Sequence, residues 1–242
     1  MTSPKNPATA GTRKSIFSRK LRAWYRANGR DLPWRKTRDA YRVLVSELML
    51  QQTQVSRVLS FYDRFLERFP TLTHLATAQP RQVREAWHGL GYYARARNLH
   101  QLARAVTRRG TLPNETLPSE PSALRELPGV GAYTAGAVAS FAYERRAELV
   151  DTNVARVLRR AFAPNADPAS AAGKREIWQI ARDLLPRTGR ATWTHNQALM
   201  ELGALLCTAR VAHCDVCPVR RECATATAAA RPRASRSRSR DR

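Results

Sequence analysis

Acidic residues, cysteines and long apolar runs are all scarce in this chain of 242 residues. Asp and Glu number 19 against 42 Lys and Arg, so the formal net charge is +23, which favours a polyanionic partner and nucleic acid first. The chain has no run of eighteen apolar residues, which argues against a membrane-spanning helix. No stretch alternates for long between apolar and polar residues, so a sheet is not expected.

The only four cysteines all fall within seventeen residues. Cys207, Cys214, Cys217 and Cys223 have the spacing Cys-x6-Cys-x2-Cys-x5-Cys, which indicates one metal centre. The first thirty residues lack the apolar core of a secretory signal, so we expect a reducing cytoplasm. Structural zinc sites usually pair two short arms across a longer loop, whereas here one Cys-x2-Cys is flanked by single cysteines. The spacing therefore favours a [4Fe-4S] cluster, with zinc or disulfides as alternatives.

Positive charge is concentrated at both ends of the chain. Residues 1–30 contain eight Lys or Arg and no acid, and residues 224–242 contain six Arg and one Asp. We predict a disordered basic N-terminus at 1–13 and a disordered Arg- and Ser-rich tail at 224–242. These ends serve either for solubility alone or for non-specific attraction of DNA phosphates.

Between the ends, the apolar residues recur at the spacing of helices. Val55, Val58, Leu59, Tyr62 and Phe65 are separated by one, three or four residues, as on one face of a helix. Turn-forming residues such as those at 28–29, 109–110 and 117–118 separate the apolar segments. The pattern predicts an all-α chain of roughly ten helices.

The segment Leu127-Pro128-Gly129-Val130-Gly131 lies between two predicted helices. Glycines at Gly129 and Gly131 permit positive φ and let a phosphate approach backbone N–H groups beside the positive end of the next helix. A plain tight turn between packed helices has the same pattern. The basic charge of the chain favours a clamp on the DNA backbone.

Two acidic residues stand out by their neighbours. Asp151 precedes an apolar-periodic helix, so it is first of all an N-cap, and a carboxylate at a helix start is expected to stay ionised. Glu47 lies among apolar residues of a helix, and from its spacing alone it is an ordinary solvated residue. The polar run from Gln51 to Gln54 that follows it suits contact with base edges and sugars.

Five motifs, in order, resemble those of the adenine DNA glycosylases (MutY type), which belong to the helix-hairpin-helix superfamily that includes endonuclease III. These motifs are Ser46-Glu47-Leu48-Met49-Leu50-Gln51-Gln52-Thr53-Gln54-Val55, Gly89-Leu90-Gly91-Tyr92-Tyr93-Ala94-Arg95-Ala96-Arg97-Asn98-Leu99, the 127–131 hairpin, Asp151-Thr152-Asn153 and the four cysteines. The resemblance extends from about residue 32 to residue 223.

The resemblance implies a two-lobed helix-hairpin-helix DNA glycosylase fold. Residues 36–142 would form a six-helix module with the hairpin, and residues 14–35 plus 143–223 the iron-sulfur cluster domain. Double-stranded DNA with a mispaired or oxidised base would bind across the cleft, with the target base flipped out. A monomer in the cytoplasm, associated with the nucleoid and not with a membrane, is expected.

The resemblance also implies roles for individual residues. A buried Glu47 would protonate the adenine, Asp151 would stabilise the sugar cation, and Asn153 would orient the chemistry. Tyr133 replaces the lysine with which bifunctional relatives cut the strand, so release of the base without strand cleavage is expected. The residues expected to contact substrate or DNA are Trp34, Arg35, Gln52, Thr53, Tyr92, Gly129 and Gly131.

The chain departs from the family pattern at two places. The family usually has Asp-Gly-Asn where this chain has Asp151-Thr152-Asn153, and most members continue into a Nudix-like domain that senses 8-oxoguanine, whereas nineteen residues follow Cys223. Two alternatives therefore stand beside adenine excision. One is a T:G mismatch thymine glycosylase of the same fold, and the other is a DNA-binding module without catalysis.

Overall fold

The computed structural model describes residues 7–108 and 116–229. Within these ranges it contains twelve α-helices and no strand, apart from one isolated bridge between Cys207 and Ala212. The helices are α1 (Pro7–Asn28), α2 (Ala40–Leu50), α3 (Val55–Arg68), α4 (Leu72–Thr77), α5 (Pro80–Ala86), α6 (Ala94–Arg108), α7 (Pro121–Arg125), α8 (Ala132–Tyr143), α9 (Thr152–Phe162), α10 (Ala171–Asp183), α11 (Gly189–Leu205) and α12 (Ala224–Ala229). The predicted all-α class is confirmed.

Short polar side chains fix the start of five helices. Asp39, Thr71, Asp151, Ser170 and Thr188 each accept a hydrogen bond from a backbone N–H in the first turn of the following helix. Such a cap contributes about 1 kcal/mol to stability. The predicted N-cap at Asp151 is therefore confirmed, and it places this carboxylate at the positive end of α9.

The two ends of the described chain lie close together. The Nε atom of Arg13 in α1 donates to the backbone oxygen of Glu222 at 2.7 Å, and its guanidinium lies over the Phe162 ring. The Thr225 hydroxyl of α12 donates to the backbone oxygen of Arg160 at 2.7 Å. The structure thus places residues 7–13 in α1 and 224–229 in α12, where the sequence predicted disorder. The remaining parts of those predicted segments lie outside the described residues.

The site is positioned by helices that are distant in sequence. α1 packs along α11, α2 packs against α8, and α11 also contacts α8 and α9. The hairpin predicted at 127–131 joins α7 to α8. No helix in the described part of the chain is both long enough and apolar enough to cross a bilayer.

Candidate active site

A cavity of about 700 Å³ brings together most of the predicted site residues. Those that line it are Trp34, Arg35, Glu47, Gln52, Thr53, Tyr133, Asp151 and Asn153. Tyr92 and the hairpin glycines do not line it, and the four cysteines surround a different cavity. Residues from α2, α8, α9 and α11 therefore meet at one place although the chain separates them widely.

Glu47 lies in α2 and is only 3% exposed, so the expectation of a solvated residue from its spacing alone is wrong. Burial raises the pKa of its carboxyl from 4.5 to about 7, and the hydrogen bond from Tyr133 opposes the rise. The Asp151 carboxylate raises the same pKa further. The expected burial of Glu47 is confirmed, and the direction of its pKa shift agrees with the expectation that it keeps its proton to an unusually high pH.

Asp151 is held by its own helix. The backbone N–H of Val154 donates to Oδ1 at 2.6 Å, and Nδ2 of Asn153 donates to Oδ2 at 3.2 Å. Burial raises the pKa of Asp151 above 3.8, while these hydrogen bonds and the Arg156 charge lower it. The helix start does favour the charged form of Asp151, as expected, but burial has the larger effect on its pKa and favours the neutral form.

Tyr133, in the first turn of α8, contacts Glu47 directly. Its hydroxyl donates to Oε2 of Glu47 at 2.6 Å. Burial, together with the charges of Glu47 and Asp151, raises the pKa of Tyr133 well above its usual value, so this phenol remains a hydrogen-bond donor. Tyr133 thus orients the carboxyl group in addition to packing beside the hairpin.

Gln52 and Tyr92 share an uncommon backbone conformation. Their φ angles are 55° and 47°, which is left-handed backbone that residues other than glycine rarely adopt. Gln52 lines the cavity, and Tyr92 is 59% exposed. These two residues, both expected to contact substrate or DNA, therefore lie in tight turns.

The two hairpin glycines differ from each other. Gly129 has a φ of 76°, and a Cβ at this position would lie 2.6 Å from the Cβ of Asn98, so the hairpin fits closely against α6. Gly131 has an ordinary φ of −85°, and a Cβ there would meet nothing within 4 Å. Gly129 therefore adopts the positive φ that glycine permits, whereas Gly131 does not and is exposed at the start of α8.

All four cysteines line one cavity of about 280 Å³. Arg160, Arg210, His213 and Arg220 also line it, and Arg160 donates to Sγ of Cys207 at 3.2 Å. Across residues 7–108 and 116–229, no three His, Cys, Asp or Glu side chains come close enough to hold a single metal ion. Four thiols that line one cavity are a donor set suited to a metal centre.

A family model for HhH-GPD superfamily base excision DNA repair proteins matches residues 45–183, which include α2, the hairpin, α8 and Asp151. The chain belongs to this superfamily. Adenine DNA glycosylases are similar to it over most of its length. The protein from Mycolicibacterium smegmatis (strain ATCC 700084 / mc(2)155) is 45% identical over 207 residues, which cover 85% of this chain and 68% of that protein. The one from Rattus norvegicus is 44% identical over 221 residues, which cover 86% and 41%.

Within the HhH-GPD superfamily, the chain belongs to the adenine DNA glycosylases on the strength of the mycobacterial relative. It spans about two fifths of the length of the mammalian relatives that it matches. A thermostable thymine-DNA glycosylase has a similar structure, with a TM-score of 0.81, 27% identity and coverage of 90% of this chain and 99% of that one. A trapped endonuclease III–DNA covalent intermediate gives a TM-score of 0.74 at 21% identity, covering 91% and 99%, which shows the shared fold.

The wall of the candidate active site includes a network of ion pairs that the sequence analysis did not predict. Glu201 of α11 is completely buried and accepts hydrogen bonds from Nε and Nη2 of Arg30 and from Nη2 of Arg35, at 2.7–2.9 Å. Burial would raise the pKa of Glu201, but the bonds from Arg30 and Arg35 lower it to about 2. Arg35 also donates to Gln197 at 2.8 Å. The sequence signal for this network was Glu201 itself, a single acidic residue among the buried residues of α11.

A second missed residue connects the two cavities. Arg156 of α9 donates from Nη2 to Oδ1 of Asn153 and to the backbone oxygen of Gly203, both at 2.7 Å. Its Nε donates to the backbone oxygen of Cys207 at 2.8 Å. The cysteine loop is therefore joined through one guanidinium to the side chain that contacts Asp151.

Proposed function

We propose that this protein excises adenine paired with 8-oxoguanine or guanine by hydrolysing the N-glycosidic bond of a flipped nucleotide. The observation that carries the proposal is a buried Glu47 with a pKa of about 7, lining the same cavity as Asp151 in a member of the adenine DNA glycosylases. A carboxyl group whose pKa lies near neutral pH is suited to general acid catalysis. Flipping is needed because the bond is inaccessible within the stacked duplex.

The reaction would begin with transfer of the Glu47 proton to N7 of adenine. The bond between C1′ and N9 then breaks, and its electron pair leaves with the base. The Asp151 carboxylate stabilises the positive charge that develops on the sugar. Water adds to C1′ and gives a proton back to Glu47, so the carboxyl group is restored and the product is an abasic site.

Tyr133 would hold the Glu47 carboxyl in place through the 2.6 Å hydrogen bond. A phenol cannot form a Schiff base with the sugar, as a lysine amine would at this position. The strand should therefore remain intact until alkali cleaves the abasic site. Asn153 supports Asp151 by donating to its second oxygen at 3.2 Å.

The remaining predicted residues would bind the DNA. Trp34 is buried against Tyr62, with ring centroids 5.4 Å apart, and would form an apolar wall of the adenine pocket beside Arg35. Gln52 and Tyr92 would fill or wedge the opened base stack, Gln52 from the rim of the cavity and Tyr92 from a turn outside the cavity, and Thr53 would contact DNA at the rim. The partner would be duplex DNA with a mispaired or oxidised base, bound by a monomer in the cytoplasm at the nucleoid.

The hairpin would bind phosphate through the exposed backbone of Gly129 and Gly131. It belongs to the proposed six-helix module at 36–142, and residues 14–35 plus 143–223 form the proposed cluster domain. The packing of α1 along α11 supports this grouping.

A [4Fe-4S] cluster held by Cys207, Cys214, Cys217 and Cys223 would order the loop that carries Arg210 and Arg220. Ordering by a metal group would fix these cations for contact with DNA phosphates. Iron and sulfide analysis of the purified protein tests this part of the proposal. Four iron and four sulfide per chain would support a cluster, whereas one zinc per chain would contradict it.

The deciding experiment is single-turnover base release from duplexes with A:8-oxoguanine, A:G, A:C and T:G, with and without later alkali. Adenine release fastest opposite 8-oxoguanine, with cutting only after alkali, is the expected result. The likeness to a thymine-DNA glycosylase structure supports a second candidate, release of thymine from T:G. Thymine release with adenine untouched would select that candidate. Binding without release of any base would indicate a non-catalytic module.

A further inference from the structure

Two turns with strained backbone lie next to each other near the proposed active site. The first spans residues 51–54 and contains Gln52, and the second spans residues 89–93 and contains Tyr92. A residue other than glycine in the left-handed region costs about 1–3 kcal/mol and persists only where the surroundings hold it. Both turns therefore need a fixed support.

One side chain provides contacts to both turns. Arg95, in the first turn of α6, is only 7% exposed. Its Nη1 donates to the backbone oxygens of Leu48 and Met49, each at 2.8 Å, and to that of Gln51. Its Nη2 donates to Oγ1 of Thr53 at 3.1 Å and to the backbone oxygens of Leu90 and Gly91 at 3.2 and 3.1 Å.

The position of Arg95 is unfavourable for helix stability. A cation in the first turn of α6 is opposed by the helix dipole, and in the described ranges no carboxylate pairs with Arg95. Its buried Nε has no hydrogen-bond partner within the described chain. The favourable contacts come from carbonyls at the end of α2, from the two turns, and from the rings of Tyr92 and Trp87, whose centroids lie 5.3 and 5.7 Å from the guanidinium carbon.

We propose that Arg95 is a positioning residue that holds turns 51–54 and 89–93 as one rigid unit, so that Gln52 and Tyr92 enter the base stack together. The inference rests on the proposed base excision, because it assigns the two side chains to the opened duplex. A planar fork is required, since Nη1 reaches carbonyls at the end of α2 and that of Gln51, while Nη2 reaches both turns. A lysine ammonium has three donors and no fork.

Arg95→Lys tests the proposal because it keeps the charge and removes the fork. We would measure single-turnover adenine release from an A:8-oxoguanine duplex and from a duplex whose adenine lies opposite an abasic site, where no base pair has to be broken. Release from the paired adenine should slow roughly ten- to hundredfold, as expected for lost hydrogen bonds to a charged group. Release from the unpaired adenine should slow much less. Arg97→Lys, an exposed position of the same helix, is the matched control and should leave both rates unchanged.

Equal slowing on the two substrates would overturn the proposal, because it would indicate a general structural defect. Unchanged rates on both would also overturn it. 2-Aminopurine placed at the target position reports unstacking without chemistry, and its fluorescence increase on binding should be smaller with Arg95→Lys. If the parental protein released no base at all, the proposed function would fail while this fluorescence comparison still decided the role of Arg95.

Hydrogen exchange in the parental protein provides a test that needs no variant. The N–H of Thr53 donates to the backbone oxygen of Leu50, and the N–H of Leu90 donates to that of Trp87. If Arg95 joins the turns, these two amides should become accessible through one common opening. Equal protection within about threefold is expected, because one cooperative unit opens with one free energy. Protection that differs by more than about tenfold, or 1.4 kcal/mol, would contradict the proposal.

Discussion

Replacing Glu47 with glutamine should stabilise the protein, and more strongly at high pH than at low pH. The folded protein retains a proton on Glu47 up to a pKa of about 7, whereas the unfolded chain releases it near 4.5. The stability associated with this proton is complete below pH 4.5 and is lost as the pH rises through about 7. Above that range the buried charge costs about 3 kcal/mol, because one pKa unit corresponds to about 1.4 kcal/mol.

Glutamine carries no charge and can still accept the Tyr133 hydrogen bond through its amide oxygen. When the pH rises from 5.5 to 8.5, the free energy of unfolding of the parental protein should therefore fall by about 2 kcal/mol relative to that of Glu47→Gln, by the same linkage relation. Urea unfolding at both pH values measures this difference, provided that the slope with denaturant is equal for the two proteins. The same variant should release no adenine.

Glu67→Gln is the matched control, because Glu67 is an exposed glutamate on α3. It should not reproduce the pH-dependent gain. If the effect of Glu47→Gln on the free energy of unfolding were the same at pH 5.5 and 8.5, as expected for Glu67→Gln, the buried and protonated state of Glu47 would be refuted. If Glu47→Gln released adenine at the parental rate, its role as general acid would be refuted separately.

Three further predictions concern other side chains. Tyr133→Phe removes the hydrogen bond that lowers the pKa of Glu47, so the pH at which base release declines should rise by about one unit. If this pH did not change or became lower, the effect of Tyr133 on the pKa of Glu47 would be refuted. Asp151→Asn keeps a good N-cap for α9, so the free energy of unfolding should change by less than about 1 kcal/mol, while base release should be lost. A large loss of stability in a melting experiment would show that the charge of Asp151, and not its cap, supports the fold. Arg220→Ala should weaken binding to all duplexes alike and flatten the salt dependence by about one charge, as titrations at several salt concentrations would show; unchanged affinity would remove Arg220 from the DNA interface.

Local sequence signals predicted the helices, the hairpin and the Asp151 cap, because each depends on neighbouring residues in the chain. Apolar periodicity and short turns are properties of segments, and α3 follows its predicted pattern, with Val58, Tyr62 and Phe65 buried. The burial of Glu47 required the family resemblance, since its own spacing favours a solvated side chain. The contacts made by Tyr133 depend on how α8 packs against α2, which no single segment encodes.

The long-range ion network could not be read from the sequence for the same reason. Glu201 contacts Arg30 and Arg35 only after α11 has packed along α1. A single acidic residue in a helix is usually exposed to solvent, so its sequence position alone does not indicate a buried ion pair. Left-handed backbone at Gln52 and Tyr92 was also unpredictable, since glycine and asparagine are the residues that signal it. Such strained positions depend on support from elsewhere, as Arg95 gives here.

The meeting of the chain ends has a consequence for synthesis. α1 is synthesised before the other described helices, yet its neighbour α11 and the Glu222 contact of Arg13 lie near the other end of the described chain. Contacts of such high sequence separation form late and slow folding. During translation, α1 therefore remains basic and without these partners until the chain has been made as far as Glu222.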